Sequence, residues 1–297
     1  MTTERAADTV AARAWDQQSV WSQAADRAKT AIERARTWSL VLGLAAAVLG
    51  TAASQVMTAQ SMLGKALAFG AASATGLIPL VSRHAGPAAV RDWTGLRVTS
   101  EAMKREIHMW LAGVTPYRGP DARAVLAQRL KDVRQDAAHL VPATLGITPA
   151  VRRLPAVSDV DTYIECCLTP QIGGYYLARA RTMGRRLALV RGTELALGVT
   201  GVLLGALAGA FAVEQAAAWV AVATTAGAAV GAHGLAANYA YQQARFASTA
   251  AALEDTVERH RETGEHTDPA TEDALVARCE RLISALNDSW MTKWTSQ

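Results

Sequence analysis

Glu194–Ala244 reads ELALGVTGVLLGALAGAFAVEQAAAWVAVATTAGAAVGAHGLAANYAYQQA. After Glu194 come 19 residues without a charge (Leu195–Val213), then Glu214 alone, then 30 more (Gln215–Ala244). About 20 apolar residues, each rising ~1.5 Å along a helix, span a hydrocarbon layer of roughly 30 Å. Two runs of this length joined by one acidic residue read as a helical hairpin that crosses a bilayer twice.

The same pattern stands earlier in the chain. Thr37–Gly64 is 28 residues without a charge, with Leu40–Leu49 at its heart and a polar end, Thr51–Met62, suited to an exit and turn. Lys65 interrupts, and Ala66–Ser82 adds 17 uncharged residues before Arg83 and His84. The competing reading is a soluble protein with very apolar core helices, because Ala45-Ala46-Ala47 and Ala216-Ala217-Ala218 are only weakly hydrophobic. Four runs of 17 or more in matched places favour the membrane.

Composition agrees with helices. Hydrophobic residues make up 51% of the 297 and aromatics only 6%, so the apolar content is mainly Ala, Leu and Val, which suits close-packed helices better than a sheet. The mean hydropathy of +0.09 is too low for a chain that is all membrane and fits one about one-third embedded. The basic excess is local: residues 83–192 carry 17 basic and 9 acidic side chains, a net +8, against −4 for residues 245–297. Residues 1–37 are polar with both charge signs, unlike a signal peptide. Cys166, Cys167 and Cys279 give neither a metal spacing nor a disulfide framework.

The polar segments read as amphipathic helices. Trp15, Trp21, Ala25, Ala28 and Ile32 share a face in one or two helices over residues 1–37. Ala88–Ala112 alternates charges with Trp93, Leu96, Met103, Ile107, Trp110 and Leu111. Gly113, Pro116, Gly119 and Pro120 break it, and Leu126, Leu130, Val133, Ala137 and Leu140 then form a narrow stripe at 4-3-4-3 spacing. Pro142, Pro149 and Pro155 mark a linker. Leu275, Cys279, Leu282, Leu286 and Trp290 repeat the stripe in the last helix, after a turn at Gly264, His266 and Asp268-Pro269.

The order repeats about every 150 residues, so the chain divides into a first module at 1–140, a linker at 141–158 and a second module at 159–297. The expected fold is all-α: an integral membrane protein with four transmembrane helices in two quasi-repeated hairpins, flanked by cytoplasmic amphipathic helices. Basic residues precede the first span (Arg27, Lys29, Arg34, Arg36), follow the second (Arg83, Arg91) and precede the third (Arg185, Arg186, Arg191), while the two turns hold only Lys65 and Glu214. The positive-inside rule puts both termini and the connector in the cytoplasm and the hairpin tips outside.

Gly201, Gly205 and Gly209 lie at i, i+4, i+8 on the third span, and Gly227 and Gly231 repeat the spacing on the fourth. Such faces let helix backbones approach closely, either within the hairpin or between copies in a homo-oligomer, where they are pore-assembly candidates. Ser54, Gln55, Gln60, Thr224, Thr225 and His233 either line a water path or lie at span ends. No acidic or basic residue is buried mid-span, which argues against a proton- or ion-coupled transporter. There is no phosphate-binding glycine loop, nucleophile elbow or HExxH, so no catalytic, cofactor-binding or metal-ligating residue is nominated and no enzyme activity is expected. His84 and His139 read as helix-end or surface residues. The connector can meet anionic lipid heads but lacks the aromatic interleaving of a nucleic-acid groove.

Tyr163-Ile164, Gln171 and Tyr175-Tyr176-Leu177-Ala178-Arg179-Ala180, followed by basic residues and two apolar runs, resemble the entry helix of SLATT domains. These are two-transmembrane modules associated with bacterial nucleotide-second-messenger systems. The first half resembles a SLATT variant in Trp21-Ser22-Gln23-Ala24-Ala25, Ile32-Glu33-Arg34-Ala35-Arg36 and Leu42-Gly43-Leu44-Ala45, giving a tandem over about residues 15–262. Cys167 stands where the family pattern leads one to expect an arginine, four residues before Gln171. The resemblance implies a plasma (inner) membrane effector in a bacterial defence or conflict system. A partner that makes or senses a nucleotide would trigger it, and it would form a pore or disrupt the membrane. The alternative is a non-conducting anchor for a cytoplasmic partner.

Overall fold

A computed structural model describes residues 9–263 and 268–295, with side chains for all of these except Glu214, Thr263 and residues 286–295. The turn residues Gly264 and His266, and the stripe side chains Leu286 and Trp290, lie outside the described residues. Every regular element among the described residues is helical. They are α1 (Thr9–Val56), α2 (Ser61–Ser82), α3 (Pro87–Ala112), α4 (Ala122–Asp136), α5 (Val160–Tyr163), α6 (Ala178–Phe211), α7 (Glu214–Ala237), α8 (Tyr239–Thr263) and α9 (Pro269–Thr295). Two π-helical segments, Ile164–Leu168 and Gln171–Leu177, carry the chain from α5 to α6. Among the described residues, four helical stretches are long and apolar enough to cross a membrane: Thr9–Val56, Ser61–Ala112, Val160–Phe211 and Gln215–Glu262.

Helix α1 merges what the sequence divides into an amphipathic approach and a span. No glycine or proline falls between Thr9 and Leu42, so nothing breaks the hydrogen-bond ladder. Pro87, by contrast, opens α3, where its missing N–H and fixed φ cost nothing. The last charge-free run, Gln215–Ala244, is not one helix: α7 stops at Ala237. Asn238 adopts a left-handed conformation (φ 52°) and its N–H bonds back to the Leu235 carbonyl at 3.0 Å, the usual way for a helix to stop.

The chain forms two compact units, each drawing on both halves of the sequence. The first contains the chain up to Thr30, Pro87–Ala180 and Ala244 onward; the second contains Ala31–Gly86 and Arg181–Gln243.

The first unit has a conventional core. Trp21, Ala25, Leu96, Met103, Ile107, Leu111, Leu126, Leu168, Leu253 and Val276 are buried. The stripe that begins in α4 is used internally, with Leu126 and Leu130 of α4 and Leu140 of the turn after it buried, and Leu275 and Cys279 of α9 are buried likewise. The break after α3 is fixed by a charge cluster: Tyr117 donates to the buried Glu106, whose carboxylate also lies 2.8 Å from Arg105 and 3.6 Å from Arg129. Asp159 begins α5 with a capping box, accepting from the Thr162 N–H at 2.8 Å. The irregular stretch before it is tied to α1. Gln23 donates to the Thr148 carbonyl at 3.0 Å, the Ala150 N–H to Ser19 at 2.8 Å, and the Trp15 indole to the Arg153 carbonyl at 3.0 Å.

The second unit is built differently. Its buried residues are mostly small (Ala53, Ala74, Ala223, Ala226), and large apolar side chains such as Phe69, Leu195, Val202, Phe211 and Leu235 are exposed. Along α1 and α2 the contacts run antiparallel. The Ser39 and Ser82 hydroxyls lie 3.0 Å apart, a methyl at Gly70 would sit 3.3 Å from Leu49, and one at Gly64 would sit 2.8 Å from the Met57 Cα. That last contact is with backbone, so position 64 requires glycine. Along α6 and α7 the order reverses in the same way, from Gly205 beside Val220, through Gly201 beside Thr224 and Leu197 beside Gly227, to Glu194 against Gly231.

Candidate functional site

Helix α3 sets the site because of its spacing. Trp93, Arg97, Glu101, Lys104 and His108 fall at intervals of three and four, so they form one stripe of rings and charges along a single face. The π-helical segment Gln171–Leu177 packs in the same unit and supplies Gln171, Tyr175 and Tyr176. Ordinary α-helical geometry turns consecutive residues about 100° apart. The wider π turn aligns i with i+5, and the Gln171 amide donates to the Tyr176 hydroxyl at 2.9 Å across that interval. Tyr175 and Tyr176 then meet edge to face, centroids 5.2 Å apart, and both contact Phe246 of α8 at 6.0 and 6.4 Å.

Trp93, Arg97, Glu101, Tyr175, Tyr176 and Phe246 line a cleft of about 140 Å³ with Asp26 and Lys29 of α1 and with Arg179. Arg97 is its hub. One terminal nitrogen bonds Glu101 at 2.8 Å and the Tyr175 hydroxyl at 3.2 Å, and the guanidinium lies 5.7 Å from the Tyr175 ring centroid. Arg179 covers the same ring at 5.6 Å, and the Lys29 ammonium sits 5.7 Å from the Trp93 ring. Burial by itself would lower the Arg97 pKa, but Glu101 and the Tyr175 hydroxyl outweigh it and hold the group above its ordinary value.

A second groove, about 350 Å³, shares Arg97 and Tyr175 with the cleft and adds Trp15, Lys104, His108, Cys166, Cys167 and Gln171. Lys104 donates to the Gln171 carbonyl oxygen at 3.0 Å, so a lysine from α3 supplies a cation beside Gln171. Beneath lies a buried polar chain. Tyr163 donates to Glu280 at 2.7 Å, Glu280 lies 3.9 Å from His108 Nδ1, and His108 Nε2 lies 3.8 Å from Cys167 Sγ. Burial pushes the Glu280 carboxyl up and the His108 imidazole well below its usual range, with Lys104 and Arg152 adding to the latter. Burial also pushes the Cys167 thiol up to about 12. Burial thus disfavours both the imidazolium and the thiolate in this row. Among the described residues no group of His, Cys, Asp or Glu is placed to hold a metal ion.

The residues singled out from sequence therefore fall in two places. Tyr163, Gln171, Tyr175 and Tyr176 gather in the first unit around the cleft and the buried chain. The glycines lie in the second unit: Gly201 and Gly205 face α7, Gly227 and Gly231 face α6, and Gly209 has nothing within 4 Å. The hydroxyls of Ser54 and Thr224 turn back onto their own helix carbonyls. Sequence reasoning passed over Arg97, Lys104, His108 and Glu280. Their signal was periodic: Glu280 stands at i+4 from Val276 and three before Ile283, a buried register beside the stripe already noted.

Residues 163–290 match the family described as SMODS and SLOG-associating 2TM effector domain 1. The second half of the chain resembles a SLATT domain. The matched SLATT-like region begins at Tyr163, the first residue of the motif, and takes in Gln171, Tyr175, Tyr176 and both α6 and α7. Residues 19–124 match a second family, described as a protein of unknown function (DUF4231). No curated protein and no solved structure matches the chain.

Proposed function

We propose that the protein is a non-enzymatic membrane effector that acts as an oligomer and breaches the bilayer. In this reading it crosses the plasma membrane four times in two hairpins, with both termini and the polar helices in the cytoplasm. The observation that carries it is the SLATT-like match over a region whose apolar helices keep large side chains such as Leu195, Val202, Phe211 and Leu235 exposed. Large apolar side chains exposed in such number call for lipid or further copies of the chain. The antiparallel contacts of α1 with α2 and of α6 with α7 support two hairpins. Control from the polar unit has a covalent route, since α1 runs unbroken from the first unit into the second and so does α6. By the sequence resemblance, the input is a partner protein that makes or senses a nucleotide. The two modules at 1–140 and 159–297 would each contribute one hairpin.

One observation favours a non-conducting anchor instead. Gly201, Gly205, Gly227 and Gly231 meet neighbours in their own chain, which leaves only Gly209 of that set for assembly. Dye release from liposomes and planar-bilayer conductance decide between the two. Leakage that rises with protein concentration and is abolished by Gly205→Glu supports the pore. Stable insertion with no conductance, with or without a partner, replaces it with the anchor.

A further inference from the structure

The cleft between α1, α3, α8 and the Gln171–Leu177 segment has a composition unlike the rest of the molecule. Four aromatic rings, Trp93, Tyr175, Tyr176 and Phe246, line it. Arg97, Lys29 and Arg179 face two carboxylates, Asp26 and Glu101, which leaves an excess of one positive charge. A structural core would bury its rings against aliphatic side chains. Here Trp93 and Tyr175 are partly exposed to the cleft, with Tyr176 and Phe246 buried behind them.

Arg97 is the telling residue. A guanidinium has five N–H donors. Both of its contacts, to Glu101 and to the Tyr175 hydroxyl, use the same terminal nitrogen. Its Nε and its other terminal nitrogen have no acceptor among the described residues, yet neither is sealed from solvent. Glu101 and Tyr175 fix the plane of the group while its remaining donors stay available. That is a pre-oriented anion receptor, since charge-assisted bonds from arginine to phosphate are among the strongest in proteins. Rings beside it offer stacking to any planar ligand, with little demand on the ring's identity.

We propose that this cleft binds a small planar heteroaromatic phosphate of mononucleotide size, with the ring against Trp93 and Tyr175 and the phosphate on Arg97 and Arg179. The volume holds about one ring system, so the phosphate would lie at the open side of the cleft, and an extended polymer does not fit. This does not depend on whether the chain conducts ions, so a failed leakage assay leaves it standing and its own failure leaves the membrane reading untouched. Occupancy would brace Tyr175 and Tyr176, which sit within the π-helical turn leading directly into α6.

The test is calorimetric titration of the full chain in nanodiscs with AMP, adenosine and inorganic phosphate in parallel. AMP is expected to bind at least about tenfold more tightly than either fragment, a difference of about 1.4 kcal/mol. Arg97→Gln should weaken AMP by about tenfold or more. Arg97 is partly buried and paired, so Arg179→Gln, an exposed position, serves as a second variant, with an expected loss of about threefold. AMP binding no tighter than phosphate alone, no detectable heat at concentrations on the order of 1 mM, or affinity unchanged in both variants would each overturn the assignment.

Discussion

The Tyr163 hydroxyl donates to the Glu280 carboxylate at 2.7 Å, joining residues 117 positions apart in the interior of the first unit. Tyr163 is fully buried and Glu280 nearly so, with His108 3.9 Å away as its other polar neighbour, so water does little to replace this bond. Tyr163→Phe leaves Glu280 without its donor and should cost about 1–3 kcal/mol. Thermal unfolding of the detergent-solubilised chain should show the loss, and Glu280→Gln, which keeps an acceptor, should lose less.

Stability should fall on the acid side because of His108. Its folded pKa is depressed by burial, with Lys104 and Arg152 adding to the effect, whereas an unfolded imidazole titrates near about 6.5. Below that value the unfolded chain takes up a proton that the folded one refuses. The contribution is therefore complete above about pH 6.5 and is lost as pH falls from there toward the folded value. His108→Gln should flatten this part of the pH–stability curve, and an unchanged slope would assign it elsewhere.

Cysteine labelling should separate the three thiols. Cys166 is exposed, while Cys167 and Cys279 are buried with pKa values pushed up to about 12 by desolvation. A maleimide at pH 7 should modify one thiol quickly and the other two only after denaturation. Rapid labelling of Cys167 would mean the floor of the groove opens to solvent.

The glycines make opposite predictions. Gly227→Leu adds bulk where a methyl would already lie 3.7 Å from Leu197, and should destabilise the α6–α7 pair by about 1–3 kcal/mol. Gly209 has nothing near it, so Gly209→Leu should leave thermal stability unchanged. If Gly209→Leu nonetheless alters the size distribution in sedimentation or lowers dye release, that face packs against another copy.

The segment before α5 should resist proteolysis less well without Arg152, which adds to the bonds from Trp15, Ser19 and Gln23. Its guanidinium stacks 3.8 Å over the Trp15 ring and donates to the Trp15 carbonyl at 2.6 Å and to Gln18. Arg152→Ala should expose the segment to limited digestion between Thr144 and Ser158, read by the appearance of two large fragments.

Much of this protein is written locally. Charge-free runs, helix-breaking Gly and Pro, and three-to-four periodicity depend on near neighbours in the chain. They placed the four apolar helices, the break after Ala112, the irregular linker and the buried stripe Leu126–Leu140. The motif residues Tyr163, Gln171, Tyr175 and Tyr176 were also visible, as a pattern without a geometry. Tertiary structure decided what they do. Whether Arg97 is a solvated surface charge or the hub of a cleft depends on α1, α8 and a π-helical turn, which no window of α3 contains. Glu280 reads as an ordinary helix charge until Tyr163 and His108 close over it. Burial and hydrogen bonding across more than 100 residues set those properties, because desolvation depends on every element packed around a group and not on the residues beside it in sequence.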